Sequence, residues 1–178
     1  MTDVAARSAY GVLTEPSTLT IQRRLPGPVE RVWKYLTESE LRRQWLAAGD
    51  MEMKVGSTFM FTWRNDELNA PRGNRPAGAS AEHSMECVIT ELDPPRAIGF
   101  TWGRSDGVTF TLETAKDGAV LMTVIHRRLP DRDTTLKVSA GWHMHLDVLV
   151  ACLTGDRSEP FWDGWSRLKA EYETRIPG

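Results

Sequence analysis

The chain has 178 residues, a length that suits one domain with a sizeable buried core. Its formal net charge of −2 gives no general attraction for nucleic acid or for anionic lipid. No stretch is apolar for long enough to span a membrane, and residues 1–16 lack the apolar segment of a secretory signal. We therefore expect a cytoplasmic protein, monomeric or homodimeric, with neither nucleic acid nor membrane as a partner.

The N-terminal part of the chain changes character at Thr18. Residues 1–17 are small and polar without periodicity, and they predict a flexible segment. Thr18–Leu25 alternates apolar and polar side chains, which predicts a half-buried strand. Arg23 falls on the apolar face of that strand. Because an unpaired interior charge is costly, Arg23 must pair with a carboxylate, meet water or a ligand in a cavity, or extend its guanidinium to solvent.

Two short helices follow the break at Pro26-Gly27-Pro28. In residues 28–36 the apolar side chains recur three and four positions apart, as on one face of a helix. In residues 38–45 Leu41 and Trp45 repeat that spacing. Gly49 then ends the helical stretch.

The middle of the chain alternates with a period of two and predicts an antiparallel meander. The alternating segments are 57–64, 83–91, 97–102, 108–113 and 120–127. Tight turns join most of them, with no room for a helix between parallel strands. The exception is 64–82, which is rich in Gly, Pro and Arg and predicts a long loop. This loop is either solvated filler, a mobile lid or a partner surface.

Two helices are predicted after the strands. Residues 139–153 carry an apolar stripe with helical spacing, which must lie against another surface. After Pro160 a second helix has its apolar residues four, three and four positions apart, from Phe161 to Tyr172. We expect residues 18–155 to form the domain and residues 156–178 to be a helical extension packed on its outside.

Several large rings fall on the inward parity of the predicted strands and of the long helix. They are Phe59, Phe61, Trp63, Phe100, Trp102, Phe110 and Trp142. Such rings either pack against one another as a core or form the wall of an apolar pocket. Parity alone leaves both alternatives open.

The order of short motifs points to a family. The first half carries Arg24-Leu25-Pro26, Val29-Glu30-Arg31-Val32-Trp33, Leu36-Thr37, Trp45, and Gly56 before Phe59-Met60-Phe61. The second half carries Glu91-Leu92-Asp93-Pro94-Pro95, Phe100-Thr101-Trp102, and Gly141-Trp142 before Leu146 and Leu149. In this order, over about residues 18–155, the chain resembles the activator of heat-shock-protein-90 ATPase homologues. That family belongs to the START-like (SRPBCC) superfamily.

The resemblance implies an α+β helix-grip fold. In this fold a curved antiparallel sheet of six to seven strands has two short helices after its first strand. A long C-terminal helix lies over the concave face, and here an extra C-terminal helix follows. The superfamily often holds an apolar ligand between helix and sheet, which implies a pocket for a small apolar or amphipathic molecule. A chaperone-associated interaction module and a cyclase- or dehydratase-type enzyme are the alternatives that the resemblance leaves open.

Candidate cavity residues follow from parity and from the helix stripe. They are Arg23, Trp33, Trp45, Phe59, Phe61, Trp63, Met85, Phe100, Trp102, Phe110, Met122, Trp142, His145, Leu146 and Leu149. The candidates for acid/base chemistry are His145 and His126, and His83 shares the inward parity of its strand. Asp147, next to the apolar stripe, is predicted to be solvated.

The histidines do not predict a metal site. His143 and His145 are two positions apart, which turns them about 200° from each other on a helix, so His143 faces away from the cavity. No nucleotide-binding or other cofactor motif occurs, and we expect no cofactor and no metal. Cys87 and Cys152 form no CxxC pair and are predicted to be buried, reduced thiols.

Overall fold

The computed structural model describes residues 9–103 and 105–178, so residues 1–8 of the predicted flexible segment lie outside it. The strands are β1 (Val12–Glu15), β2 (Thr18–Leu25), β3 (Thr58–Trp63), β4 (His83–Asp93), β5 (Ala97–Trp102), β6 (Ser105–Thr114) and β7 (Val120–His126). The helices are α1 (Val29–Thr37), α2 (Ser39–Arg42), α3 (Arg132–Thr154) and α4 (Phe161–Arg175).

All seven strands form one antiparallel sheet in the order β1-β2-β7-β6-β5-β4-β3. The long helix α3 packs against β2 on one side and against α4 on the other. The predicted α+β helix-grip fold is therefore confirmed, including the two short helices after the strand at Thr18–Leu25 and the extra helix after Pro160.

Strand β1 is the element that differs from the sequence prediction, which assigned residues 1–17 to a flexible segment. Val12 is 54% exposed, so β1 has no alternating apolar face to detect. It is held by tertiary contacts instead. The N–H of Gly11 donates to Tyr172 Oη at 2.8 Å, and the Tyr10 hydroxyl donates to Glu171 at 2.6 Å. Both partners lie in α4, so the N-terminal strand depends on the C-terminal helix.

Helix α3 is buried on nearly every face, and its amphipathic stripe describes only half of its surroundings. It begins after Asp131, whose side chain accepts from the N–H of Thr134 at 2.7 Å. It ends at Gly155, whose φ of 81° suits the left-handed cap. Although α3 has 23 residues, no helix among the described residues has the length and hydropathy needed to cross a membrane.

The core between α3 and the sheet contains a continuous series of edge-to-face rings. Phe59 lies 4.9 Å from Phe61, Phe61 lies 5.3 Å from Phe100, and Phe100 lies 5.3 Å from Phe110, measured between ring centroids. This geometry is favourable for aromatic pairs and fills the space. At this position the inward rings form a packed core.

A buried arginine organises the connection between α2 and β3. The Arg42 side chain has no exposed surface. Its Nε donates to the carbonyl of Ala47 at 3.1 Å, and Nη1 donates to those of Leu36 and Thr37, each at 3.2 Å. The guanidinium also lies 5.1 Å from the centroid of the Phe61 ring. Burial lowers the pKa of Arg42 to about 10, so the side chain stays charged at neutral pH.

Two helical glycines make a matched stability test of this packing. A Cβ at Gly141 in α3 would meet nothing closer than Trp165 Nε1 at 4.0 Å, so Gly141→Ala should stabilise the protein by about 0.5–1 kcal/mol through helix propensity. A Cβ at Gly164 in α4 would lie 2.5 Å from the sulfur of the buried Met144, so Gly164→Ala should be destabilising by about 1 kcal/mol or more.

Urea unfolding of the two variants at pH 7 measures both changes. Equal effects at the two positions would contradict the close α3–α4 packing.

Candidate ligand-binding site

A cavity of about 340 Å³ lies where α3 passes over the ends of β3, β4 and β5. Its walls include Trp63, Trp102 and Trp142, together with Met85 and Leu46. The rings contact one another around the cavity: Trp102 lies 5.4 Å from Trp63 and 5.6 Å from Trp142, measured between centroids. The cavity therefore has rigid, mainly aromatic walls.

A second cavity of about 470 Å³ adjoins the first on its outer side. The two share Asn65, Lys137, Gly141, His145 and Trp162. The outer cavity is completed by residues 76–79 of the long loop and by the rings of α4. Together they form one site with an inner and an outer compartment.

The loop at 64–82 is fixed to the start of α4. The N–H groups of Phe161 and Trp162 donate to the carbonyls of Pro71 and Arg72 at 2.8 and 3.0 Å. The indole Nε1 of Trp162 donates to Asp66 Oδ1 at 2.7 Å. The loop is thus an ordered wall of the outer cavity rather than solvated filler.

His145 is the most buried polar group on the cavity wall, and only 7% of it is exposed. Its Nδ1 lies 2.7 Å from the carbonyl oxygen of Trp45. A carbonyl can only accept, so Nδ1 carries the proton and donates. Burial lowers the pKa of His145 to about 4, so Nε2 is unprotonated at neutral pH.

His126 lies behind the cavity wall, under Trp142. The indole Nε1 of Trp142 donates to His126 Nδ1 at 3.1 Å, so the proton of the neutral ring is on Nε2. Burial lowers the pKa of His126 to about 4. With such pKa values His126 and His145 are both weak bases near neutral pH, where general acid/base catalysis works best with a pKa near the operating pH.

His143 lies on the opposite side of α3, as its spacing from His145 predicts, but it is enclosed by α4. Its Nδ1 is 2.9 Å from Tyr172 Oη, and burial lowers its pKa to about 3. The described residues contain no group of three His, Cys, Asp or Glu side chains arranged to hold a metal.

Two predictions require a correction. Arg23, a predicted cavity residue, does not border the cavity, and Asp147 is not fully solvated. Arg23 is 8% exposed and lies away from the cavity, with Nη2 3.0 Å from Asp147 Oδ1. Asp147, predicted to be solvated, is half-buried in this ion pair on α3. Burial raises the pKa of the Asp147 carboxyl, and the charge of Arg23 opposes that rise. Of the alternatives for Arg23, pairing with a carboxylate is the one observed.

The structure separates the remaining predicted cavity residues into two groups, and Trp33 belongs to neither. Those that line the cavity are Trp63, Met85, Trp102, Trp142 and His145. Those that pack in the core without bordering it are Trp45, Phe59, Phe61, Phe100, Phe110, Met122, Leu146 and Leu149. Trp33 is half-buried against the core at α1. The second group does not line the cavity because its members fill the space against each other.

Sequence reasoning did not nominate several residues that border the site. Asn65, Lys137, Gly141 and Trp162 are shared by both compartments. His83, which was noted for the inward parity of its strand, borders the inner compartment and stacks on Trp63 at 5.7 Å. A tryptophan in the first turn of the helix predicted after Pro160 was an available signal for Trp162. Asn65 and Lys137 gave none, because polar residues in a loop or on a helix face are common on any surface.

The comparisons with known proteins agree with this architecture. The family model for the Activator of Hsp90 ATPase homolog 1-like protein matches residues 26–154, well over half of the chain. The solution structure of the protein encoded by gene BPP1335 of Bordetella parapertussis is similar with a TM-score of 0.78 and 31% identity. That likeness covers 100% of this chain and 97% of the other. No curated protein matches the chain in sequence.

More distant structures share the fold. CalU16 from Micromonospora echinospora is 21% identical with a TM-score of 0.65, over 90% of this chain and 89% of its own. DynU16, from the dynemicin biosynthetic locus, is 18% identical with a TM-score of 0.62, over 83% of this chain and 51% of its own. At these identities the likeness concerns the fold alone.

The buried histidines predict a pH dependence of stability. His126, His143 and His145 have folded-state pKa values of about 3 to 4, below the ordinary value near 6.5. Below pH 6.5 the unfolded chain therefore binds protons that the folded chain does not, and the free energy of unfolding falls as the pH falls. The slope should approach about 4 kcal/mol per pH unit near pH 5 if all three contribute.

Urea unfolding at pH 7, 6 and 5 at constant ionic strength measures this slope. A free energy of unfolding that stays constant over this range would contradict the burial of neutral histidines.

Proposed function

Because the chain belongs to the Activator of Hsp90 ATPase homolog 1-like family, we propose that it is a small-molecule-binding protein of the helix-grip type. The ligand is apolar or amphipathic and lies between α3 and the ends of β3 to β5. The observation that carries this proposal is the tryptophan-lined cavity of about 340 Å³, since the rest of the helix–sheet interface is filled. A protein without a ligand would gain stability by filling this space as well.

The size of the site bounds the ligand. The inner compartment is at the small end of the range for small-molecule pockets and suits a molecule of two or three fused or linked rings. The outer compartment leaves room for a longer or branched substituent. The aromatic walls favour a planar ligand that packs against indole rings.

Binding is favoured over both alternatives. The histidines at the cavity are neutral weak bases, which argues against a cyclase or dehydratase that relies on them. A chaperone-associated module is suggested by the family name and by no contact in the structure. We place the protein in the cytoplasm as a binding protein for a small molecule.

Five of the seven tryptophans border the two compartments, so ligand binding has an intrinsic optical signal. N-phenyl-1-naphthylamine, a neutral fluorescent naphthalene, should quench tryptophan emission and be excited by energy transfer. Val138→Trp adds a ring to the cavity wall and should weaken binding at least tenfold by occupying the space. Val55, which is 55% exposed and borders neither compartment, provides the matched control Val55→Trp, with an expected change below twofold.

Fluorescence titration with this probe measures both variants and the wild type. Absence of binding to the wild type, or equal binding by Val138→Trp, would sink the proposal.

A further inference from the structure

One buried polar group at the cavity wall, His145, has an unused hydrogen-bond acceptor. His145 donates from Nδ1 to Trp45, and its Nε2 has no hydrogen-bond partner among the described residues. Nε2 is also absent from the polar atoms that protein fully encloses without a partner, so it faces open space. The ring borders both compartments, and that open space is the cavity. His145 therefore presents a lone pair to whatever occupies the site.

A second polar side chain, Asn65, borders both compartments. Its Oδ1 is enclosed without a hydrogen-bond partner among the described residues. An enclosed oxygen is not offered to a molecule in the cavity. The acceptor that faces the open space is therefore Nε2 of His145.

Most indole donors around the site are already engaged. The N–H of Trp142 donates to His126, that of Trp162 to Asp66, and that of Trp165 to the Lys137 carbonyl at 3.3 Å. Lys137 is the one cationic side chain among the residues that line the site. It is exposed, and its Nζ lies 2.8 Å from Asp133 Oδ2. The wall thus offers the unused acceptor of His145 and a cation that already has a counter-ion.

From this arrangement we infer that the ligand is a neutral aromatic molecule with a hydrogen-bond donor, of the phenol class, whose hydroxyl donates to His145 Nε2. The inference rests on the proposed binding function and specifies its ligand chemistry. A phenol has a pKa near 10 and is neutral at pH 7, as the cavity requires. An aromatic carboxylate would bring a negative charge against this lone pair and into a mainly apolar space.

Four naphthalenes of similar size test the effects of a donor, an acceptor and a charge separately. 2-Naphthol donates a hydrogen bond, 2-methoxynaphthalene only accepts one, 2-methylnaphthalene does neither, and 2-naphthoate is anionic. Each is measured by displacement of N-phenyl-1-naphthylamine. We expect 2-naphthol to bind more tightly than 2-methoxynaphthalene, by about tenfold for one hydrogen bond, and 2-naphthoate to bind most weakly.

A variant assigns the preference to the acceptor. His145→Leu should lower the ratio of the 2-methoxynaphthalene Kd to the 2-naphthol Kd by five- to tenfold, with little change for 2-methylnaphthalene. Asn69→Leu is the control, because Asn69 is exposed and borders neither compartment. The comparison of 2-naphthol with 2-methoxynaphthalene on the wild type needs no variant, so the test stays decisive if loss of the His145–Trp45 bond unfolds His145→Leu.

The outcomes separate the two proposals. Equal binding of 2-naphthol and 2-methoxynaphthalene, or an unchanged ratio in a folded His145→Leu variant, overturns the donor inference and leaves the apolar pocket standing. Tightest binding of 2-naphthoate also overturns it and identifies Lys137 as the recognising group. Failure of all four to displace the bound fluorescent naphthalene overturns the donor inference, whereas failure of the fluorescent naphthalene itself to bind the wild type overturns the proposed function.

Discussion

Enclosure of α3 between the sheet and α4 is the constraint on which the rest of the molecule depends. On a helix covered on both sides, a buried polar side chain is costly unless it has a partner within the protein. His145 meets the Trp45 carbonyl, His143 meets Tyr172, and Asp147 meets Arg23. These bonds run to the α2–β3 connection, to α4 and to β2, respectively. The bonds that satisfy buried polar groups of α3 therefore also hold the three neighbouring segments in position.

The buried Arg42 carries this order one step further. Its guanidinium gathers backbone carbonyls from the end of α1 and from the segment after α2. That segment includes Trp45, whose carbonyl holds the ring of His145, and Leu46, which forms part of the cavity wall. The fully buried guanidinium of Arg42 is thus linked to the ligand site through the backbone of residues 45–47. The position of the His145 ring follows from backbone geometry set outside the cavity.

Periodicity predicted most of the elements because their burial alternates along the chain, as Thr18–Leu25 and Val120–His126 illustrate. It could not predict the site, because parity tells which way a ring points and not whether it meets another ring. Phe100 and Trp102 have the same parity on β5, yet one is packed among phenylalanines and the other borders a cavity. Arg23 shows the same limit, since its partner is 124 positions away in sequence. Strand β1 was missed because contacts with α4, rather than an apolar face, keep it in place.

The family-model match ends at residue 154, whereas α4 begins at Phe161. The structure from Bordetella parapertussis is similar over the whole chain, so α4 lies within that likeness. Trp162 borders both compartments, whereas Trp165 and loop residues 76–79 border the outer one alone. Because the loop is hydrogen-bonded to the start of α4, two segments that are distant in sequence close the outer compartment together. A substitution at Trp165 therefore alters the outer compartment while the ring-filled core and the sheet stay unchanged.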